Sequence, residues 1–377
     1  MPEKIAVFTG SRADYGLLRP VLTLLKQDPY FQLQLVVSGS HLSHDFGYTL
    51  SEIDEDGFHV DAQIPVLQES TVLGISKAMG LGLMDYAQVL NQLAPDKVMV
   101  LGDRFEAFAF AIVAHIANVP IVHLYGGEVT QGAIDDAFRH AISKMASLHF
   151  VSTSFYRKRV IQLGESPDTV FHVGSLALDN LKNLTLLSKS ALSKDLGIQF
   201  LEHLFLITVH PETLYEQHPF HLIEELLKVL PHFKNTTFVF TKANADPLGQ
   251  AINERIAAFV AQHDHAFLFD SLGTRRYFSL MTICDVVIGN SSSGILEAPF
   301  FKVPSVNIGG RQQGRVCSDS VIHCEPDRIH QAIDQALSLK SDYDHPYAKP
   351  DSAKMILHYL KKPFLRKKTF YDIPVND

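Results

Sequence analysis

Residues 97–128 read KVMVLGDRFEAFAFAIVAHIANVPIVHLYGGE. Two short apolar runs, 97–102 and 120–127, flank the helix-like stretch FEAFAFAIVAHIAN. Strand, helix, strand within about thirty residues is the βαβ unit, whose strands lie parallel in one sheet. Carboxylates follow directly: Asp103 after the first run, Glu128 after the second, then Asp135 and Asp136 a few residues on. In an open parallel sheet, ligands bind beyond the carboxyl ends of the strands.

The same alternation extends outward in both directions. Strand-like runs at 5–8, 33–37 and 148–151 are separated by amphipathic stretches such as 17–25. After 170–174 the pattern loosens into LDNLKNLTLLSKSALSKDLG, a polar segment that reads as a crossover between domains. Alternation restarts with runs at 204–209, 237–240, 266–269, 285–288 and 305–308. This predicts an α/β protein of two Rossmann-like doubly wound domains, 1–180 and 181–349. A helical run at 327–337 precedes a tail helix, 350–377, expected to pack back on the first domain.

Composition agrees with that plan. A chain of 377 residues exceeds what one core ordinarily serves. With 46% hydrophobic and 20% charged residues it has apolar material for packed cores and too much for a disordered chain. The formal net charge of -8 argues against a nucleic-acid-binding surface. The N-terminal stretch MPEKIAVFTGSRADYG runs straight into a strand pattern without signal-peptide regions, and no run reaches membrane-helix length. A cytoplasmic protein without a membrane partner is expected. Three cysteines, Cys284, Cys317 and Cys324, form no CxxC pair, so neither a disulfide framework nor a structural zinc site is expected.

Several turns carry possible chemistry, each beside a plainer reading. Residues 9–16, TGSRADYG, lie between strand and helix but lack both nucleotide-loop spacings, GxGxxG and GxxxxGK[ST]. Arg12 there can grip a phosphate bidentately, or Ser11 or Asp14 can simply cap the helix. Residues 288–297, IGNSSSGILE, offer backbone N–H groups at a helix start, where anions bind and where serines also serve as ordinary caps. Glu297 lies one turn further on, where it suits two ribose hydroxyls better than a phosphate. His210 ends the strand before Pro211, and Arg311 and Arg315 lie in the glycine-rich loop GGRQQGR. A structural histidine and solvated arginines are the competing readings. Asn244 and Asp246 follow the strand TTFVFT and fit the same rim. The acidic residues also have a plain explanation, because Asp103, Asp135 and Asp136 can cap helices. Against it stands the division of charge: carboxylates gather in the first half, cations and anion-type turns in the second, and a cleft between two domains would bring them face to face.

With these residues assembled, the chain resembles the hydrolysing UDP-N-acetylglucosamine 2-epimerases of bacterial sialic-acid biosynthesis. The resemblance runs nearly end to end. It is carried by TGSRADYG, SGSHL at 38–42, VLGDRFE at 100–106, HLYGGEVTQGAIDDAFRHAISK at 123–144, VHPET at 209–213, IGNSSSGILE, NIGGRQQGR at 307–315 and the terminal FYDIP. It implies two Rossmann-like domains in the glycosyltransferase B arrangement, a UDP-sugar substrate bound between them, and a homodimer or homotetramer. It also implies a reaction without metal or NAD cofactor, in which UDP-GlcNAc loses UDP to give 2-acetamidoglucal and water then adds to give N-acetylmannosamine. Catalytic roles carry over to Asp103, Asp135 and His210, with Glu128 the remaining candidate. Uridine-diphosphate contacts carry over to Arg12, Ser291, Ser292, Glu297 and Arg311. Within the same motifs, Gly10, Asp14, His41, Arg104, Asp136, Asn290, Ser293 and Arg315 are further substrate-binding candidates. Where many relatives read HxEGG, this chain has Tyr125, leaving Glu128 as the nearby glutamate.

Alternatives stand beside this reading. The same reaction on UDP-2,4-diacetamido-2,4,6-trideoxyglucose would share every motif for UDP and for elimination. The non-hydrolysing epimerase fits the GSRADYG and GNSSSG forms less well. A glycosyltransferase or a nucleotide-sugar binding module would leave the carboxylates without a task.

Overall fold

The structure, a computed structural model, describes residues 1–43, 48–66, 71–129, 134–182, 184–211, 219–243, 248–340, 342–363 and 368–373. It divides into two compact units, Met1–Leu181 with Tyr347–Asp377, and Lys182–Pro346.

The first unit holds seven strands: β1 (Glu3–Thr9), β2 (Phe31–Ser38), β3 (Ala62–Ile64), β4 (Lys97–Leu101), β5 (Ile121–Leu124), β6 (Leu148–Val151) and β7 (Val170–His172). They form one sheet in the order β3-β2-β1-β4-β5-β6-β7, every neighbouring pair parallel. Its helices are α1 (Arg12–Gln27), α2 (Leu50–Glu55), α3 (Val72–Leu93), α4 (Phe105–Ile116), α5 (Asp135–Met145), α6 (Ser154–Gln162) and α7 (Leu176–Lys182), the last reaching the boundary between units. Successive strand residues point to opposite faces. Ile5, Val7, Leu35 and Met99 pack with Leu18, Leu22 and Leu25 of α1, while Ala6, Phe8, Val36 and Val98 pack with Tyr86 of α3 and Phe110 of α4. Both faces are therefore covered, which is why the strands read as unbroken apolar runs.

The second unit repeats the plan with helices α8 (Lys189–Leu196), α9 (His221–Val229), α10 (Gly249–Val260), α11 (Gly273–Met281), α12 (Ser293–Leu296) and α13 (Ile329–Ser338). Its strands are β8 (His203–Thr208), β9 (Thr236–Thr241), β10 (Ala266–Phe269), β11 (Val286–Gly289), β12 (Ser305–Ile308) and β13 (Val321–Cys324). Their order is β10-β9-β8-β11-β12-β13, again all parallel. Two doubly wound sheets are present, as the alternation predicts. Each reverses its winding beside its first strand, between β1 and β4 and between β8 and β11, and such switch points are where ligands bind.

Three details add to or depart from the sequence reading. The edge strands β3 and β13 are not among the runs read from it. The polar stretch read as the crossover between domains carries parts of two short helices, α7 and α8. The tail helix is short: α14 (Ser352–Leu360) ends before Pro363, whose missing N–H and fixed φ do not continue a helix. The tail helix packs on the first unit, where Ala353, Ile356 and Leu360 join the α1 core and Tyr359 stacks on Phe171. Residues 368–373 run on without helical structure.

Candidate active site

At the first switch point, the turn after β1 is built around Asp14. Its Oδ2 accepts from the backbone N–H groups of Gly10 at 2.8 Å and Ser11 at 3.0 Å, while the Asp14 N–H donates to Ser11 Oγ. This is a reciprocal capping box, so the plainer reading of Ser11 and Asp14 holds. Burial pushes the Asp14 carboxyl up to about 6, against its hydrogen bond from Gly10. The neighbouring turn after β2 presses close: Gly39 has φ +59, and a Cβ there would stand 2.6 Å from the Gly10 carbonyl oxygen. His41 has no exposed surface, and its ring nitrogens meet Thr9 Oγ1 at 3.0 Å and Thr49 Oγ1 at 2.7 Å. Burial lowers its pKa to about 4, so it stays neutral and ties the two turns together, with no ring nitrogen open to a ligand. Arg12 is different. Its side chain is 73% exposed and pairs with Glu52 at 2.9 Å. Arg104, half-exposed, pairs with the buried Glu106 at 3.2 Å.

Asp103 does not cap a helix. The residue before α4 is Arg104, and no side chain caps that helix. Instead the Asp103 carboxylate is gripped by the buried guanidinium of Arg139 on α5. Burial raises the Asp103 pKa; Arg139 pulls the other way, and the charges of Asp135 and Glu128 push it further up. Asp135 and Glu128 thus lie within electrostatic reach of Asp103, as the spacing after β4 and β5 predicts. Glu128 is buried and accepts from Ser152 Oγ at 2.7 Å. Asp135 and Asp136 open the first turn of α5, and Asp136 faces His140 at 3.6 Å. Arg139, one turn beyond Asp135, belongs to the site although it is not among the candidates singled out from the 123–144 motif. Its signal is a cation on the buried side of an amphipathic helix, four residues after a candidate carboxylate.

Tyr125 has φ +65, and its hydroxyl accepts from the Leu176 N–H at 2.8 Å and meets Ser175 Oγ at 3.1 Å. It holds the start of α7.

In the second unit the turn after β11 is closed by Asn290. Its side chain accepts from the His210 N–H at 2.7 Å and donates to the His210 carbonyl at 2.9 Å, a two-point clamp across the β8–β11 switch point. Its own carbonyl accepts from Gln312 Nε2 at 2.9 Å and Arg311 Nη1 at 3.3 Å. Asn290 therefore shapes the site from within, its amide fully buried. Gly289 is obligatory: φ is +135, and a Cβ would meet the Thr208 carbonyl oxygen at 1.9 Å. Ser291 and Ser292 precede the short α12, and Ser293 begins it. Glu297 follows at its end, half-buried beside Ser293, and burial pushes its pKa up to about 7 against the pull of Ser293 and Arg315. Buried Gln312 is a further member of this cluster without a motif of its own. Asn244 and Asp246, like Glu212 of the VHPET motif, lie outside the described residues.

Among the described residues no group of three or more His, Cys, Asp or Glu side chains gathers as a metal site, and no helix is long and apolar enough to cross a membrane.

The family model for UDP-N-acetylglucosamine 2-epimerase matches residues 23–361. A Campylobacter jejuni protein named GDP/UDP-N,N'-diacetylbacillosamine 2-epimerase (hydrolyzing) is 43% identical over 335 residues, covering 88% of this chain and 87% of its own. The polysialic acid biosynthesis protein P7 of Escherichia coli is 37% identical over 385 residues, covering 99% and 98%. Among solved structures, the UDP-GlcNAc 2-epimerase of Neisseria meningitidis bound to UDP-GlcNAc aligns with a TM-score of 0.77 at 17% identity, covering 95% of this chain and 99% of that one. At that identity the likeness establishes the fold.

Proposed function

The chain belongs to the UDP-N-acetylglucosamine 2-epimerase family, and from that premise we propose that it converts a UDP-linked 2-acetamido sugar and water into UDP and the free 2-epimer. The observation that carries this reading is Asp103, a carboxylate with a raised pKa at a switch point, gripped by Arg139 and flanked by Asp135 and Glu128.

The proton on C2 of such a sugar is not next to a carbonyl, so no carboxylate removes it from the resting substrate at a useful rate. Departure of the diphosphate must come first or together with it. The C1–O bond breaks with its electron pair leaving on UDP, C1 gains oxocarbenium character, and C2–H becomes acidic. A partly desolvated carboxylate then takes the proton, and the glycal double bond forms between C1 and C2. Leaving-group charge is met by Arg12, His210, Arg311 and the backbone N–H groups of Ser291 and Ser292. Arg12 can exchange Glu52 for phosphate cheaply, because an exposed ion pair is worth about 1 kcal/mol or less. Glu297 accepts from the ribose hydroxyls.

Hydration completes the turnover. Water adds its hydroxyl to C1 and gives up its proton to a carboxylate, while a second acid places a proton on C2 from the face opposite the one first removed. Two or more carboxylates in different protonation states are needed, and Asp103, Glu128 and Asp135 share these steps. Replacing each in turn by its amide should lower turnover by about 10²–10⁴-fold while UDP still binds. Near-normal turnover in all three folded variants would remove the assignment.

For the sugar, UDP-GlcNAc, yielding N-acetylmannosamine for sialic-acid synthesis, is the first reading. A second, UDP-N,N'-diacetylbacillosamine, which carries the 2,4-diacetamido-2,4,6-trideoxy sugar, is favoured by the name of the Campylobacter relative. The ratio of kcat/KM for the two nucleotides decides between them. An oligomer, dimer or tetramer, and a cytoplasmic setting complete the proposal.

A further inference from the structure

We propose that His123 and Ser143, which no motif assigns a role, are positioning residues that hold the peptide bearing Asp103 in its working orientation. The inference rests on the reading of Asp103 as a group that moves the C2 proton.

The geometry is a closed ring of contacts. His123, fully buried on β5, places Nε2 at 2.8 Å from the carbonyl oxygen of Gly102, the residue immediately before Asp103. A carbonyl only accepts, so Nε2 carries the proton. Nδ1 is then the acceptor, and it lies 3.0 Å from Ser143 Oγ, whose hydroxyl donates. Ser143 sits on α5 one turn beyond Arg139, and Arg139 grips the Asp103 carboxylate. Asp103 is thus held twice by one helix: at its carboxylate through Arg139, and at its backbone through Ser143, His123 and Gly102.

The backbone hold has a particular reason to exist. Gly102 has φ +76, a conformation glycine adopts freely and leaves as freely. Nothing in its covalent structure fixes the direction in which the next residue points, so a hydrogen bond to its carbonyl does that work. Burial depresses the His123 pKa to about 3, with the charges of His149, Arg139 and His140 pushing the same way, so the ring stays neutral and keeps its single proton on Nε2 across the working pH range. The second catalytic loop touches the same pair. A Cβ on Gly126 would stand 2.8 Å from Ser143 Oγ and 3.1 Å from His123 Nδ1, so the Tyr125–Glu128 loop rests on them two residues before Glu128.

The test compares four variants of the full chain: H123F, which removes the donor; S143A, which releases Nδ1; H123Q, which keeps an N–H donor for the Gly102 carbonyl; and D103N as the control. Each is checked for folding by circular dichroism and for UDP affinity, then assayed across pH with the UDP-sugar that the parent turns over. A displacement of about 1 Å in a reacting group costs about 10²-fold. H123F and S143A should therefore lose about 10- to 100-fold in kcat, with KM and UDP affinity within about twofold of the parent. Their acid limb should move to lower pH as the freed Asp103 carboxyl reaches water, and H123Q should recover most of the loss. If H123F fails to fold, S143A alone decides. Folded variants with parental kcat and an unmoved acid limb, beside an inactive D103N, would overturn the inference and leave the catalytic reading standing. An active D103N would remove the base on which both rest.

Discussion

Single residues carry most of the chemistry, and their surroundings decide which of several readings each one takes. Asp14 and Asp103 both follow a strand in the same sheet and both have raised pKa values. Asp14 turns its oxygens onto its own loop, whereas Asp103 faces a cation and two further carboxylates. The Ser11-x-x-Asp14 spacing makes the first outcome legible from sequence alone. The second depends on Arg139, which comes from 36 residues further along the chain. His41 and Asn290 show the converse: short polar residues near strand ends look like ligand contacts, but both turn inward and hold turns together. Glu297 offers a test at this scale. Burial holds its pKa near 7, and ribose hydroxyls that donate to it favour its charged form. UDP affinity should therefore rise as pH climbs through about 7 and fall below it, while E297Q binds more weakly and loses that dependence. The phosphate of UDP titrates alike against both proteins, so calorimetric titrations of the two between pH 6 and 8 isolate Glu297. Parallel pH profiles would remove the carboxylate from the ribose site.

At the scale of elements, long central strands were legible because burial on both faces makes them continuous apolar runs. The edges β3 and β13, of three and four residues, are not read as strands from the sequence. The tail is the most instructive element. Beyond α14 the chain returns to the first unit: Lys368 Nζ donates to the Ser143 carbonyl at 3.3 Å and the Ala146 carbonyl at 2.7 Å, where α5 ends, and reaches buried Glu165 at 2.5 Å. Phe370 lies over Gly164, and the Tyr371 N–H donates to the Gly164 carbonyl at 2.9 Å. A lysine at a helix C-terminus satisfies carbonyls that have no partner within the helix. Burial would raise the Glu165 pKa, but its bonds to His149 and Lys368 outweigh that and hold it below the usual carboxylate range. A carboxyl with a depressed folded pKa stabilises at neutral pH, and the contribution is lost as pH falls through that value. K368M should therefore cost about 1.5–3 kcal/mol near pH 7, and the gap to the parent should narrow on acidification below the ordinary carboxylate range. Denaturant melts at pH 7 and pH 3 measure both; an equal gap at the two values would contradict the role given to Glu165.

For the whole molecule, two sheets of the same winding place their candidate residues at equivalent switch points. Asp103 follows β4 and His210 follows β8, each at the reversal of strand order in its unit. The placing of the candidate carboxylates in one unit and of the serine-rich and arginine-bearing turns in the other was legible in the order of motifs. The identity of the sugar was not, because contacts to the substituents at C4 and C6 need no fixed spacing and leave no motif. Elimination followed by hydration leaves a solvent proton at C2, and solvent isotope reports it directly. The protein is incubated in deuterated water with UDP-GlcNAc and, separately, with UDP-N,N'-diacetylbacillosamine, and the products are read by NMR. The expected products are free UDP and, from at least one nucleotide, a free 2-epimeric sugar carrying deuterium at C2. A released sugar that retains its C2 proton, or a 2-epimer still joined to UDP, would contradict elimination followed by hydration.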